Sequence, residues 1–285
     1  MHRYLTLAAA ALLAGGCAIA QEGRFERTLS VNGPLNLDVE TDAGGIVVNA
    51  GPAGSIQIRG ILKPSQSGWL SGAAFGDVGE RIRRIESHPP IVQNGGTVRV
   101  GHLSRSETRG IQMRIEITAP PQTRLLARAD SGGIRVDGIQ GPADLKTDSG
   151  GVRARNIGAD VRAATDSGGI HVEGVRGSVH ARADSGGIEA YNVAGAIDAE
   201  TDSGGLHLGQ TKADTIRART DSGGAEIKLA RASGYDVRAV SDSGHVSVSE
   251  LTVRGTLSRH RAEGRVRGGG PLVDVQVGSG HVSVE

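Results

Sequence analysis

The chain has 285 residues, which fits either one large all-β domain or two domains of ordinary size. Its 45 glycines stand against only one tryptophan, two phenylalanines and three tyrosines, so a thick core centred on aromatic side chains is excluded and many tight turns are expected. The net charge is +1, from 32 basic and 31 acidic residues interspersed along the chain, and this pattern argues against a nucleic-acid partner.

Residues 1–20 have the pattern of a bacterial export signal. The basic Arg3 is followed by an apolar run that is too short to span a membrane, and the Ala-Ile-Ala sequence of residues 18–20 fits the small-residue cleavage pattern. Cleavage there makes Gln21 the first mature residue and predicts a periplasmic or extracellular protein. The alternative is a lipoprotein signal cut before Cys17, whose acylated thiol would anchor the protein. Since Cys17 is the only cysteine, an internal disulfide framework is excluded.

A turn sequence that recurs later in the chain first occurs at Asp42, as Asp-Ala-Gly-Gly. Apolar residues alternate after it at Ile46 and Val48, which predicts a strand. The repeat domain is therefore expected to start near the mature N terminus and to span residues 21–285.

The alternation lapses near residues 62–94, which we interpret as a small lateral insertion in this domain. The insertion contains Trp69 and Phe75, and residues 77–85 predict a short helix that two following prolines end. The Asn-Gly pair that starts at Asn94 then predicts the tight turn of a β-hairpin.

One tetrapeptide, Asp-Ser-Gly-Gly, then recurs at a nearly constant interval. Its successive aspartates are separated by 18, 18, 18, 18 and 19 residues, and an Asp-Ser-Gly-His variant follows 21 residues later. An internal period of this kind is typical of solenoid proteins, in which each repeat forms one coil and stacks on its neighbours. The aspartates of the tetrapeptide and its variant are Asp130, Asp148, Asp166, Asp184, Asp202, Asp221 and Asp242.

Each repeat contains two short stretches of strand alternation. Counted from the aspartate, the inward set falls at positions +4, +6, +9, +13, +15 and +17, and frequent alanines such as Ala181 indicate a narrow core. The predicted fold is an all-β, single-domain β-solenoid of stacked coils with largely parallel strands, whose in-register neighbours lie about 4.8 Å apart. The intervening residues predicted to face outward include Arg135, Asp137, Arg153, Arg155, His171, Glu173, Glu189 and Tyr191.

The C-terminal segment closes the repeat with a Gly-Gly-Gly-Pro turn at residues 268–271 and an alternating strand from Val273 to Val277. A last turn at residues 278–282 copies the turn at Asp242 without the aspartate. Because residues 280–284 have no evident polar cap, the sequence allows end-to-end self-association.

Residues 115–120, Ile-Glu-Ile-Thr-Ala-Pro, and residues 125–134, Leu-Leu-Ala-Arg-Ala-Asp-Ser-Gly-Gly-Ile, carry a family resemblance. They resemble the bacterial "putative adhesin" domain of unknown function, which has repeated Ser-Gly-x-Ile/Val turns. The similarity covers nearly all of the mature chain, and residues 268–275 look like the family's usual ending. The resemblance implies a fold of repeated β-strands at or outside the cell envelope.

The tetrapeptide is also similar to the nucleophile segment of chymotrypsin-like serine proteases, in which a glycine precedes the aspartate. Here the preceding residue is Ala, Thr or Ser, and six copies at coil spacing do not fit one activated serine beside a histidine base, so Ser131 and Ser167 are not expected to react. We interpret the aspartates as acceptors for turn amides and the glycines as residues with unusual dihedral angles. No catalytic, cofactor-binding or metal-binding residue is predicted, and the chain is not expected to be an enzyme.

Stacking would align the six aspartates in a ladder, where neighbouring carboxylates repel by about 1 kcal/mol in water. Turn amides, nearby basic residues or Ca²⁺ could relieve this repulsion, but the calcium-binding Gly-Gly-x-Gly-x-Asp sequence is absent. The nine histidines are scattered and are expected at exposed strand positions. The basic residues two positions before an aspartate are Arg128, Lys146, Arg182 and Arg219.

These features favour a non-enzymatic exported scaffold or interaction protein of the cell envelope, adhesin-like, that presents a mixed-charge face. The loop with Trp69 and Phe75 is a candidate lateral contact. The alternative is a polysaccharide-binding or polysaccharide-processing β-helix protein; sugar sites commonly use aromatic platforms, and Tyr191 is the only aromatic residue at a regular outward position. The expected partner is an unknown envelope, surface or glycan component, and no cofactor is expected.

Overall fold

The computed structural model of the protein describes residues 22–65 and 75–285, most of which lie in β-strands. The predicted signal peptide, including Cys17, and the loop residue Trp69 lie outside the described residues. No helix in the described part of the chain is long and apolar enough to cross a membrane.

The segment before the regular repeats contains strands and two helices. Its elements are β1 (Gly23–Ser30), β2 (Leu35–Ala43), β3 (Ile46–Ala50), β4 (Ser55–Pro64), α1 (Phe75–Ser87), β5 (Ile91–Asn94), β6 (Thr97–Val100), α2 (Arg105–Thr108) and β7 (Ile111–Ala119).

The regular repeats follow, each with two strands. These strands are β8 (Thr123–Ser131), β9 (Ile134–Asp137), β10 (Ala143–Ser149), β11 (Val152–Ile157), β12 (Val161–Ser167), β13 (Ile170–Val175), β14 (Val179–Ser185), β15 (Ile188–Val193), β16 (Ile197–Ser203), β17 (Leu206–Gln210), β18 (Ile216–Ser222) and β19 (Ala225–Lys228). The C-terminal strands are β20 (Tyr235–Ser241), β21 (Val246–Val248), β22 (Leu251–Leu257), β23 (Arg261–Val266), β24 (Leu272–Ser279) and β25 (Val282–Val284).

Two sheets face each other across one core, and each coil contributes one strand to each sheet. Sheet A has the order β1-β4-β7-β3-β9-β11-β13-β15-β17-β19-β25-β21, and sheet B has the order β22-β23-β20-β24-β18-β16-β14-β12-β10-β8-β2-β6-β5. Neighbouring coils pair in parallel and in register, as where Val161 lies opposite both Ala143 and Val179. The predicted single-domain β-solenoid is thus confirmed.

In each repeat the inward residues at positions +6 and +9 are three residues apart, although strand alternation would place them two apart. The backbone conformation at position +8 explains this difference. Asn156 and Asn192 occupy that position with φ angles of 55° and 57°. Asparagine and glycine are the residues that adopt this left-handed conformation most readily. The change in backbone direction turns the next residue, Ile157 or Val193, into the core, where each is at most 1% exposed.

The core is narrow because alanine fills its middle layer. Ala163, Ala181 and Ala199 lie opposite one another in successive strands of sheet B, and each is 1% exposed. The predicted inward positions are therefore confirmed by burial.

The N-terminal end departs from the regular coil. Strand β4 pairs antiparallel with both β1 and β7, so this end of sheet A is an antiparallel meander and not a coil. Strand β4 also continues to Pro64, beyond the residue at which the insertion was expected to begin. The pairing of β1 and β4 joins segments that no repeat relates, which is why the period did not reveal it.

The insertion covers the end of the core. Helix α1 runs over Phe75–Ser87, longer than the predicted 77–85, and its Ile82 side chain is fully buried. A Cβ atom added at Gly23 would lie 2.4 Å from Ile82 Cγ2, so the helix rests directly on β1. The predicted hairpin is also present, as the antiparallel pair β5–β6.

Near both ends the spatial order of the coils differs from the order along the chain. The β2–β3 coil lies between β6–β7 and β8–β9, and the β24–β25 coil lies between β18–β19 and β20–β21. Because β25 pairs with β19 on one side and β21 on the other, residues 280–284 are inside the stack. They therefore do not provide the end for the self-association that the sequence allowed, because another coil covers them.

Candidate functional site

The Asp-Ser-Gly-Gly tetrapeptides form the corners at which the chain passes from sheet B to sheet A. Gly168 shows why the first glycine is needed: its φ is +153°, and an added Cβ atom would lie 2.2 Å from the carbonyl oxygen of Gly150 in the preceding coil. Any side chain there would separate the two coils. This part of the tetrapeptide therefore serves the backbone, as predicted.

The serine of each corner is exposed. Ser131 and Ser167 are exposed, and their hydroxyls form no hydrogen bond with a histidine in residues 22–65 and 75–285. The corners repeat along one edge of the stack, because Ser149, Ser167 and Ser185 lie opposite one another in neighbouring strands.

The hydrogen bond that links successive corners comes from the residue before the aspartate. The hydroxyl of Thr165 donates to the carbonyl oxygen of Gly150 at 2.9 Å, although Thr165 is only 2% exposed. A hydroxyl buried in an apolar core needs such a partner. Equivalent bonds are donated by Thr147 to Gly132, Thr201 to Gly186, Thr220 to Gly204 and Ser241 to Gly280.

These threonines are structural residues that the sequence reasoning missed. We expected the aspartate to accept hydrogen bonds from turn amides, but no such bond is present in the described residues. The available signal was the recurrence of threonine at position +17 of an otherwise apolar set.

The aspartates form the predicted ladder on the outward side of sheet B, with Asp42 as an additional member. At its N-terminal end, Asp42 accepts a hydrogen bond from Thr108, and Asp130 pairs with Arg105 at 3.6 Å. Asp148 and the next four aspartates form no hydrogen bond or ion pair with another described side chain. Within the described ranges, no cluster of three or more metal-ligating side chains is found.

Several charged side chains outside the ladder pair with a side chain of a neighbouring coil. On sheet B, Arg182 forms a hydrogen-bonded ion pair with Glu200 rather than with Asp184, and this bond raises the pKa of the Arg182 guanidinium. His180 lies 3.3 Å from Asp198. Arg182, one of the basic residues expected to relieve the ladder, thus forms its ion pair with Glu200, and its attraction to Asp184 is a smaller cause of the raised pKa.

Sheet A presents a second set of paired charges. His171 Nδ1 lies 2.8 Å from Glu189 Oε2 in the neighbouring strand, and Arg155 Nε lies 3.4 Å from Glu173 Oε2. Further along the sheet, Lys228 lies 2.9 Å from Glu226, and its hydrogen bond lowers the pKa of that carboxyl.

Two open grooves cross the outward faces. The groove on sheet A has a volume of about 580 Å³, and the groove on sheet B has a volume of about 550 Å³. Charges of both signs line the second groove, among them Asp144, Asp160 and Arg162. In the first groove, corner glycines contribute only backbone atoms; they are Gly45, Gly133, Gly151, Gly169 and Gly187.

The sheet A groove contains two basic residues without a partner. Arg135 of β9 and Arg153 of β11 lie opposite each other and are exposed. Neither forms an ion pair or a side-chain hydrogen bond with another described residue. The two other basic residues of the groove are paired, Arg114 with Glu116 at 2.8 Å and His171 with Glu189.

The predicted outward aromatic residue adjoins this groove. The ring of Tyr191 lies 6.4 Å from the ring of His171 in an edge-on arrangement. In the next coil, Tyr191 faces Gly209, where an added Cβ atom would lie 3.5 Å from the tyrosine ring. The ring therefore lies over a position without a side chain, and partial burial raises the pKa of its hydroxyl.

Comparison with known proteins gives structural neighbours at low identity. A "putative adhesin" from Bacteroides fragilis is 13% identical, with a TM-score of 0.43 over 92% of this chain and 97% of its own. A "putative cell adhesion protein" from Clostridium sporogenes is 12% identical, with a TM-score of 0.26 over 93% of this chain and 99% of its own. Both TM-scores are below 0.5, so no inference rests on either neighbour. No curated protein matches the sequence.

The sequence comparison with protein families gives a definite assignment. The family model described as Toastrack DUF4097 matches residues 80–285. It starts within helix α1 and includes every regular coil. Because the matched segment is well over half of the 285 residues, the chain belongs to the Toastrack DUF4097 family, a family defined by a domain of unknown function.

Proposed function

We propose that this protein is an exported, non-enzymatic scaffold or interaction protein of the cell envelope, with an adhesin-like role. The observation that supports this proposal is the structural use of the repeated tetrapeptide. Its first glycine allows close stacking, as at Gly168, and the threonine before the aspartate donates to a carbonyl oxygen of the preceding corner, as at Thr165. The outward rows of side chains are then the part of each coil available to a partner.

Export is the part of this proposal that rests on the first twenty residues. Cleavage after Ala20 releases a chain that starts at Gln21, whereas lipoprotein processing leaves an acylated Cys17. Intact-mass measurement of the protein from the envelope fraction of a bacterial host separates the two. A mature start at Gln21 is expected, and a full-length chain that stays in the cytoplasm would contradict export.

The interaction role is tested with the exported chain as bait. We expect the purified protein to retain a specific component from a detergent extract of bacterial envelopes, and heat-unfolded protein serves as the control. Incubation with a fluorophosphonate probe tests the non-enzymatic part. Covalent labelling of Ser131 or Ser167 would show an activated serine and would contradict the proposal.

The second candidate function is binding or processing of a polysaccharide. The observation in its favour is the position of Tyr191 beside the sheet A groove, since aromatic rings can serve as platforms for sugars. A glycan array probed with the purified protein tests this candidate, and the absence of any bound glycan would exclude it.

A further inference from the structure

Two neighbouring arginines on sheet A form no ion pair with an acidic side chain of the described residues. Several other outward side chains lie opposite a side chain of the other charge, as with His171 and Glu189 or Arg162 and Asp144. Arg135 and Arg153 are instead like charges in register and have no carboxylate partner among the described residues. Like charges directly opposite each other destabilise a sheet, so this pair has no benefit for folding.

The same two coils provide a contrasting pair on sheet B. Arg128 and Lys146 are also like charges in register. However, Asp130 and Asp148 follow on the same strands, two residues further on and on the same outward side.

On sheet A only one such carboxylate follows, since Asp137 lies two residues after Arg135 and accepts a hydrogen bond from Asn156 at 2.9 Å. The residue two positions after Arg153 is the basic Arg155, so the positive charge is less balanced there than on sheet B.

The surroundings of the two arginines fit an extended ligand. The groove runs across successive strands of sheet A, from Arg114 past Arg135 and Arg153 to Glu189. Its corner glycines leave the backbone accessible along this path. A planar guanidinium donates two parallel hydrogen bonds to a carboxylate, and two guanidinium groups one coil apart can each hold one acidic group of a chain.

An aromatic ring lies at one end of this path. Tyr191 lies 6.4 Å from His171, which itself lines the groove, and it is the only aromatic residue at a regular outward position. A small inorganic anion has no apolar face that could pack against this ring, whereas a sugar has one.

We propose that the sheet A groove binds an acidic polysaccharide, whose carboxylates bind Arg135 and Arg153 and whose sugar ring packs against Tyr191. This proposal deepens the interaction role and rests on it. Binding is expected to weaken as salt rises, because the contacts with the arginines are between exposed charges.

Calorimetry measures the binding of oligomers of polygalacturonate to the mature protein, which is the whole chain after removal of the signal peptide. Fully methyl-esterified oligomers and sodium phosphate are the comparison ligands. The test variant is R135S/R153S, and the matched control is R128S/K146S, which removes the same charge from the same two coils on the other face. A third variant, Tyr191→Ala, removes the ring.

We expect wild-type protein to bind polygalacturonate, and the ester to bind at least tenfold more weakly. R135S/R153S is expected to lose at least tenfold in affinity, and R128S/K146S to stay within twofold of wild type. Tyr191→Ala is expected to weaken binding of the oligomer without changing the response to phosphate. The oligomer should also raise the melting temperature of wild type but not of R135S/R153S, since ligand binding stabilises only a chain that binds it.

Three results would overturn the proposal: no binding by wild type, equal losses in the two double variants, or phosphate binding as tight as that of the oligomer. The first would show that the groove does not take an acidic glycan, the second that only overall charge matters, and the third that the site takes any anion. If the protein retains an envelope component but does not bind polygalacturonate, the groove proposal is wrong and the interaction role stands. Binding of polygalacturonate by a chain that is never exported would remove the envelope role alone.

Discussion

The buried threonines at position +17 connect one corner to the next. Thr147, Thr165, Thr201 and Thr220 each donate to a glycine carbonyl of the preceding corner. Ala183 occupies the same position in one coil and provides no hydroxyl. The chain therefore contains coils with and without this bond in the same surroundings.

Removing and adding the hydroxyl should have opposite effects on stability. Thr165→Val leaves the carbonyl of Gly150 without its donor and is expected to lower the free energy of unfolding by about 1–3 kcal/mol. Ala183→Thr introduces a hydroxyl where the wild-type coil has none and is expected to raise the free energy of unfolding by about 0.5–1.5 kcal/mol. Urea unfolding measures both.

Ser167→Ala is the control for this pair, because the serine is exposed and a change of less than about 0.5 kcal/mol is expected. If Thr165→Val were as stable as this control, the bond would not contribute to the stacking of corners.

Tyr235 provides a pH-dependent test of the core near the C terminus. Its side chain is fully buried, its hydroxyl donates to Gln210 Oε1 at 3.3 Å, and burial raises its pKa. The folded state thus holds the phenol proton more tightly than the unfolded state, in which the pKa is about 10. Its contribution to stability is present below that pH and is lost as pH rises through the higher folded-state value.

Tyr235→Phe removes both this titration and the hydrogen bonds. The variant is expected to be less stable than wild type at neutral pH by about 1–3 kcal/mol. The difference should shrink above about pH 10, since only wild type loses the contribution of the tyrosine there. Denaturant unfolding across this pH range checks both, and a constant difference would contradict the assignment.

At the scale of elements, the interior coils follow from the sequence and the ends do not. The positions of Ile134, Val136 and Ile139 in the repeat predicted their burial, because a fixed period combines with strand alternation. The antiparallel pairing of β1 with β4, and the position of β24 and β25 within the stack, join segments that no period relates. Pairings of that kind depend on contacts distant in sequence.

The candidate site was predictable only in part. The outward directions of Arg135, Arg153 and Tyr191 follow from the repeat. What could not be predicted is which charges have partners, since that depends on how each side chain lies between neighbouring coils. The groove likewise depends on the shape of several coils together.

The buried alanine layer allows the two sheets to lie close together. Ala181 is 1% exposed and lies between Ala163 and Ala199. Ala181→Phe should overpack this layer and lower the free energy of unfolding by about 1–3 kcal/mol. An unchanged melting temperature would show that the sheets can separate locally and that the core is not as narrow as described.

On the scale of the whole molecule, the stack has two different ends. Helix α1 covers the N-terminal end through Ile82, which is fully buried. At the other end, strand β22 pairs with one strand of the described residues, β23, and its Val253 and Leu257 are 43% and 61% exposed. The edge strand β5 at the N-terminal end also carries an exposed apolar side chain, Val92, so each end has such a residue, whereas residues 280–284 lie inside the stack.

Distance along the axis follows distance along the chain in the regular coils but not near the C-terminal end. Ser131 and Ser203 are four coils apart, and Ser279 lies one coil beyond Ser222 although 57 residues separate the two in sequence. The exposed corner serines are suitable positions for probes because they tolerate substitution without loss of a described contact.

Pulsed electron–electron double resonance between spin labels at these serines, in a Cys17→Ser background, tests the stack most directly. Parallel coils predict backbone separations of about 19 Å between positions 131 and 203 and about 29 Å between positions 131 and 279. Distances that do not increase with the number of coils, or a pair at 131 and 279 closer together than the pair at 131 and 203, would contradict the stacked solenoid.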